Sequence, residues 1–159
     1  MLEKMIRSQT AKQEQQLESF LARHDAANPF PEDVLLTADA DYMGDGRPCH
    51  RMDIFRPREA KEALPVLVNI HGGGFLLGKK EVNRLFCADM CRRGFVVFCL
   101  EYPLVPDVDI FTVFRALTAG IERAAALAPD FGGDASKLFL CGDIAALGLI
   151  SGMFYGAYF

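Results

Sequence analysis

Three continuous apolar runs, Val66–Ile70, Phe95–Leu100 and Leu138–Cys141, alternate with stretches whose apolar residues return every three to four positions. A short run without polar alternation suits a strand buried on both faces. The stretches between them predict helices. Lys80–Arg93 carries Val82, Leu85, Phe86 and Met90, with Gly94 placed to end the helix, and Val108–Ala128 carries Phe111, Phe114, Leu117, Ile121, Ala125 and Ala128 before Pro129. Strands that alternate with helices form βαβ units, whose strands lie parallel. The fold class expected is therefore α/β, a three-layer sandwich with a mostly parallel sheet. Ahead of these units, Asp33–Tyr42 and His50–Phe55 alternate weakly around a Gly44-Asp45-Gly46 turn and predict an antiparallel pair at one edge. Residues 2–24 read as a polar helix with a thin stripe of Met5, Leu17, Phe20 and Leu21, stopped by Asn28-Pro29. The organisation expected is a helical arm over 1–30 and one domain over 31–159.

Composition narrows the function classes. With 159 residues the chain is long enough for one domain with a sizeable core, and a net charge of −4 offers no basic footprint for nucleic acid. The charged N-terminus lacks the apolar core of a signal peptide. The five cysteines, at 49, 87, 91, 99 and 141, are odd in number and form no C-x-x-C. They read as structural thiols in a reducing, cytoplasmic setting. No metal-ligand spacing, phosphate loop or dinucleotide fingerprint occurs, so neither a metal nor a cofactor is expected.

Two of the strand ends carry chemistry. After Val66–Ile70 comes His71-Gly72-Gly73-Gly74-Phe75, where three glycines let backbone N–H groups approach a ligand oxygen closely. After Leu138–Cys141 comes Gly142-Asp143-Ile144-Ala145-Ala146, opening an Ala-rich stretch. A strand, a sharp turn and a helix are the setting of a G-x-S-x-G nucleophile elbow. Position 144, where such an elbow carries serine, holds isoleucine, and an alkyl side chain cannot attack a carbonyl.

Over roughly residues 45–155 the chain resembles the α/β-hydrolase superfamily, and within it the hormone-sensitive-lipase-like carboxylesterases. The resemblance rests on His71–Phe75, on Glu101-Tyr102-Pro103-Leu104-Val105-Pro106, on Gly132-Gly133-Asp134-Ala135-Ser136 read as a helix entry, and on the altered elbow. It implies an oxyanion hole formed by the amides of Gly73, Gly74 and Ala145, with His71, Gly72 and Asp143 in support. Preorganised donors of that kind stabilise a developing oxyanion by roughly 2.7–4 kcal/mol each. The departures fall on functional positions. Ile144 replaces the nucleophile, Ala146-Leu147 replaces a glycine pair, Pro103 stands where the family usually has Arg, and Ala116 where Asp is common. The family's acid and histidine follow the elbow on later strands, whereas the histidines of this chain, 24, 50 and 71, all precede it. The resemblance thus implies a truncated α/β-hydrolase fold with no catalytic residue intact.

Two residues are alternatives for the nucleophile, and both are poor. Ser151 lies two turns into a helical stretch, and Cys141 ends a buried strand, where apolar surroundings raise a thiol's pKa. From Ile144 to Phe159 there is no charge, but sixteen residues with three glycines fall short of the roughly 20 that span a membrane. A buried core helix is expected there, and beside it the Leu138–Cys141 strand would be an open apolar edge suited to homo-oligomerisation. Beside a split enzyme in which another chain supplies the missing half, two functional readings stand. One is a protein descended from a carboxylic-ester hydrolase and catalytically inactive. The other is a non-catalytic module that binds a small acyl or carboxylate ligand in the retained pocket or assembles through the open edge.

Overall fold

A computed structural model describes residues 2–143 of the chain, and the terminal helix expected over Ile144–Phe159 lies outside them. The chain runs α1 (Leu2–Ala27), β1 (Val34–Asp41), β2 (Arg51–Pro57), β3 (Leu64–Ile70), α2 (Arg84–Arg92), β4 (Val96–Leu100), α3 (Ile110–Leu127) and β5 (Gly133–Gly142). The strands form one mixed sheet in the order β1-β2-β4-β3-β5. The expected antiparallel β1–β2 pair is present, with β1 at the edge, while β3 pairs in parallel with both β4 and β5. Because β2 runs against both of its neighbours, four of the five strands point the same way.

Period-two alternation divides the central strands between two cores. Val66, Val68, Ile70, Val96, Phe98 and Leu100 face α3, and Leu67, Val97 and Cys99 face α2. The result is the three-layer sandwich expected, with both faces of β3 and β4 buried. The helices expected from periodicity form, and much of each expected stripe packs inward: Leu117 and Ala128 are buried, and Phe114, Ile121 and Met90 lie against the cores. In α3 the fully buried residues are Val113, Ala116, Leu117, Gly120 and Ala124, while Phe111 stands exposed. In α2 they are Cys87, Ala88 and Cys91, while Phe86 and Val82 are exposed. Small residues bring a helix close to a twisted sheet. A Cβ at Gly120 would lie only 2.9 Å from Leu100 Cδ1. Close backbone approach, rather than side-chain size, selects the inward face.

Three further expectations are corrected. The segment Gly132–Ser136 does not enter a helix: β5 already begins at Gly133, and its register against β3 shifts between Pro65 and Val66. The shift accommodates residues 135–137, where the Asp134 carboxylate accepts from the Ser136 amide and hydroxyl. The helix expected from Lys80 starts as a 3-10 turn over Lys80–Asn83, and its α-helical part begins at Arg84. On α1, Leu21 is buried and Leu17 half-buried, but Phe20 faces outward and stacks on His24. Ion pairs of Arg7 with Asp107, Glu18 with Lys79 and Asp25 with Arg84 tie the arm to the body.

Helix α3 starts where Asp109 accepts from the Thr112 amide at 2.9 Å and the Thr112 hydroxyl at 2.8 Å, which satisfies orphan donors of its first turn.

Candidate functional site

The parallel register aligns the ends of three strands. Ile70 of β3 pairs with Leu100 of β4 on one side and with Gly142 of β5 on the other. The next residue of each strand, His71, Glu101 and Asp143, therefore emerges at the carboxyl end of the sheet. Crevices at that end are where open α/β sheets bind ligands.

The glycine loop is pinned from both flanks. On one, Asp143 Oδ2 accepts from the Gly72 amide at 3.1 Å. A Cβ at Gly72 would lie 2.6 Å from Asp143 Cβ, so a side chain there would push this anchor away. On the other, His71 Nε2 lies 2.8 Å from Glu101 Oε1, and the buried His71 ring stacks at 4.2 Å on Tyr102. The Tyr102 hydroxyl donates to the His71 carbonyl at 2.7 Å. Burial, then the charges of Glu101 and Asp143, push that hydroxyl well above the ordinary tyrosine range, which keeps it a donor.

Within the loop the Gly73 carbonyl accepts from the amides of Leu76 and Leu77, both at 3.2 Å. Gly73 holds φ 120°, and a Cβ there would overlap the Leu77 carbonyl oxygen, so this turn admits only glycine. Phe75 follows at φ 64° and accepts from the Val105 amide at 2.8 Å, joining the loop to the segment after β4. Among the described residues the amides of Gly73 and Gly74 donate to no protein acceptor. These are two of the three donors expected. The third, Ala145, and the substituted position Ile144 lie outside the described residues.

Sequence reasoning missed the residues beneath the loop. Glu101 accepts from the Lys80 amide at 3.1 Å as well as from His71, and the Tyr42 hydroxyl donates to its carbonyl at 3.0 Å. Lys80, only 5% exposed, places its ammonium 3.0 Å from Asp39 and from Asp53 and 2.6 Å from Glu81. Burial pulls its pKa down, but the hydrogen bonds it donates to Glu81, Asp39 and Asp53 outweigh that and raise it above the usual lysine range. Asp39, at φ 56° in a bulge of β1, donates its amide to Asp53. The available signal was positional: one polar residue directly follows each of two apolar runs.

Neither alternative nucleophile gains support. Cys141 points to the α2 layer, where burial raises its thiol pKa despite a hydrogen bond from Asn69 at 3.2 Å. Ser151 lies outside the described residues. All five cysteines are free thiols, and among the described residues no group of three or more His, Cys, Asp or Glu is arranged to hold a metal ion. No described helix is long and apolar enough to cross a membrane.

The family model BD-FAE matches residues 52–154, from β2 through the altered elbow. The chain belongs to the BD-FAE family. In keeping with that membership, its fold and relatives are those of carboxylesterase-type α/β-hydrolases. It is similar to esterase B from Lactobacillus rhamnosis, solved with a tributyrin phosphonate, at TM-score 0.85 and 26% identity over 94% of this chain and 48% of that one. A bacterial heroin esterase superposes with TM-score 0.77 and 26% identity over 95% and 48% of the two chains. Versiconal hemiacetal acetate esterase of Dothistroma septosporum is 31% identical over 121 residues, which cover 75% of this chain and 35% of the relative. A probable isoprenylcysteine alpha-carbonyl methylesterase of Oryza sativa is 28% identical over 99 residues, covering 62% and 24%. This BD-FAE chain thus spans about half the length of the solved esterases and a quarter to a third of these two curated relatives.

Proposed function

We propose that this chain is an esterase-family domain that binds the oxygen of a small acyl or carboxylate group and does not turn esters over. The observation that carries the reading is the pair of Gly73 and Gly74 amides, held in a doubly pinned loop and without an acceptor among the described residues. Gly73 is half-buried and Gly74 exposed, so a ligand oxygen can reach two backbone donors held in a fixed loop. Isoleucine at 144 takes the place of the nucleophile, whereas these two donors belong to the backbone of a separate loop.

Titration of the labelled chain with butyrate tests the reading. Amide shifts confined to residues 72–75 and 142–146 are expected, with affinity at best about millimolar because few atoms are engaged. An unchanged loop at saturating ligand would sink it.

A second reading, assembly of copies through the sheet edge, is favoured by one observation. Among the described residues β5 pairs only with β3, and its Phe139 is 55% exposed.

A further inference from the structure

Both nitrogens of the buried His71 ring face acceptors. Nε2 lies 2.8 Å from Glu101 Oε1, and Nδ1 lies 2.9 Å from the Gly72 carbonyl oxygen. A carbonyl oxygen only accepts, so Nδ1 bears a hydrogen. Two backbone donors also serve the Glu101 carboxylate, the Lys80 amide on Oε2 at 3.1 Å and the Tyr102 amide on Oε1 at 3.2 Å. Backbone donors at both oxygens favour the ionised carboxylate, which only accepts. Nε2 therefore bears a hydrogen as well, and the ring donates from both sides.

The surroundings leave this ring no other ionised partner among the described residues. Tyr102 covers one face. Gly78 packs so closely that a Cβ there would lie 2.7 Å from Nδ1. The Lys80 ammonium is turned to Asp39, Asp53 and Glu81. The Asp143 carboxylate engages the Gly72 amide rather than the ring.

The Gly72 carbonyl and the Gly73 amide are two ends of one peptide group. Hydrogen bonds in series polarise one another, and a charge-assisted donor is roughly twice as strong as a neutral one. We propose that Glu101 and His71 form a relay that polarises the 72–73 peptide, so that the Gly73 amide prefers a fully charged carboxylate oxygen to the neutral carbonyl of an ester or amide. The relay deepens the acyl-oxygen reading above and rests on it for its ligand. Glu101 and His71 are positioning residues here, since neither touches the ligand.

Ligand-free and ligand-bound measurements on the full chain separate the two ideas. In the free protein, with ring and backbone nitrogens labelled, both His71 nitrogens should resonate as protonated. The Gly73 amide nitrogen should shift in Glu101→Gln while Gly44, in a distant turn, does not. An unprotonated Nδ1 in the unsubstituted protein, or a Gly73 resonance indifferent to Glu101→Gln, overturns the relay.

Binding then compares His71→Asn, whose amide nitrogen falls near the place of Nδ1, with His71→Gln, whose amide nitrogen falls near that of Nε2. Butyrate should bind about tenfold more weakly to the Gln variant and be largely rescued in the Asn variant. Butyramide should bind the unsubstituted protein more weakly than butyrate does. Equal losses in the two variants, or equal affinity for the two ligands, also overturn the relay. If butyrate leaves the Gly73 and Gly74 amides of the unsubstituted chain unmoved, the acyl-oxygen reading falls. The ring-nitrogen spectrum, which needs neither ligand nor variant, still decides the relay.

Discussion

Lys80 is one of the most buried charged side chains among the described residues. Its ammonium neutralises Asp53, which is itself buried, and its amide holds Glu101 under the glycine loop. Removing one partner of a buried pair leaves the other charge stranded, at about 3 kcal/mol. Lys80→Met should lower stability by that amount in urea denaturation. Lys80→Ala combined with Asp53→Ala should lower it by less than the sum of the two single changes, because the stranded charge is gone. Additive losses would mean that the pair is not coupled. None of this was legible from residue 80 alone. A lysine after a glycine turn signals solvent, and only the three-dimensional meeting of β1, β2 and the Lys80 turn turns it inward. The glycine loop, by contrast, was legible at residue resolution, since three glycines after an apolar run have few other uses.

Among the elements, periodicity located every described helix and strand but caught the packed faces only in part. Phe111 and Phe86 belong to the apolar stripes yet stand exposed, whereas Gly120, Ala124, Cys87 and Ala88 take inward positions because they are small. Sequence pattern registers hydrophobicity, but how near a helix can lie to a sheet is decided by the residues that are missing bulk. The start of β5 was misread for a related reason. Gly132-Gly133 resembles the close of one element and the opening of a helix, and the pairing Leu64↔Gly133 that makes it a strand is long-range. The outer side of β5 has no partner among the described residues, and exposed strand edges template further pairing. Light scattering at micromolar concentration should therefore find the 159-residue chain self-associated. Phe139→Lys on that strand should shift it toward monomer, and an unsubstituted monomer would retire the assembly reading.

For the molecule as a whole, magnitudes decide the expectation about catalysis. Loss of the nucleophile from a serine hydrolase costs roughly 10⁶ in turnover. The histidines of this chain are all engaged elsewhere: His24 beside Asp25, His50 at 2.7 Å from Asp45, and His71 against Glu101. Hydrolysis of short-chain p-nitrophenyl esters by the purified chain should not exceed a heat-treated control. Ile144→Ser should not restore it, because a serine without a base is a weak nucleophile near neutral pH. Saturable turnover that disappears on Cys141→Ala or Ser151→Ala would reveal a rebuilt site and end the inert reading.

The shared register of Ile70 with Leu100 and Gly142 also has a kinetic consequence. His71 meets Glu101 across 30 residues, and Gly72 meets Asp143 across 71. Contacts between partners so distant along the chain form late, after the loop-closure entropy between them has been overcome. A nascent chain that has left the ribosome only as far as Tyr102 already possesses all three glycines and the His71–Glu101 pair, yet its loop hangs from one flank. The second anchor arrives with the last residue of the β5 turn, so a competent pocket is itself a record that the sheet has closed in the correct register.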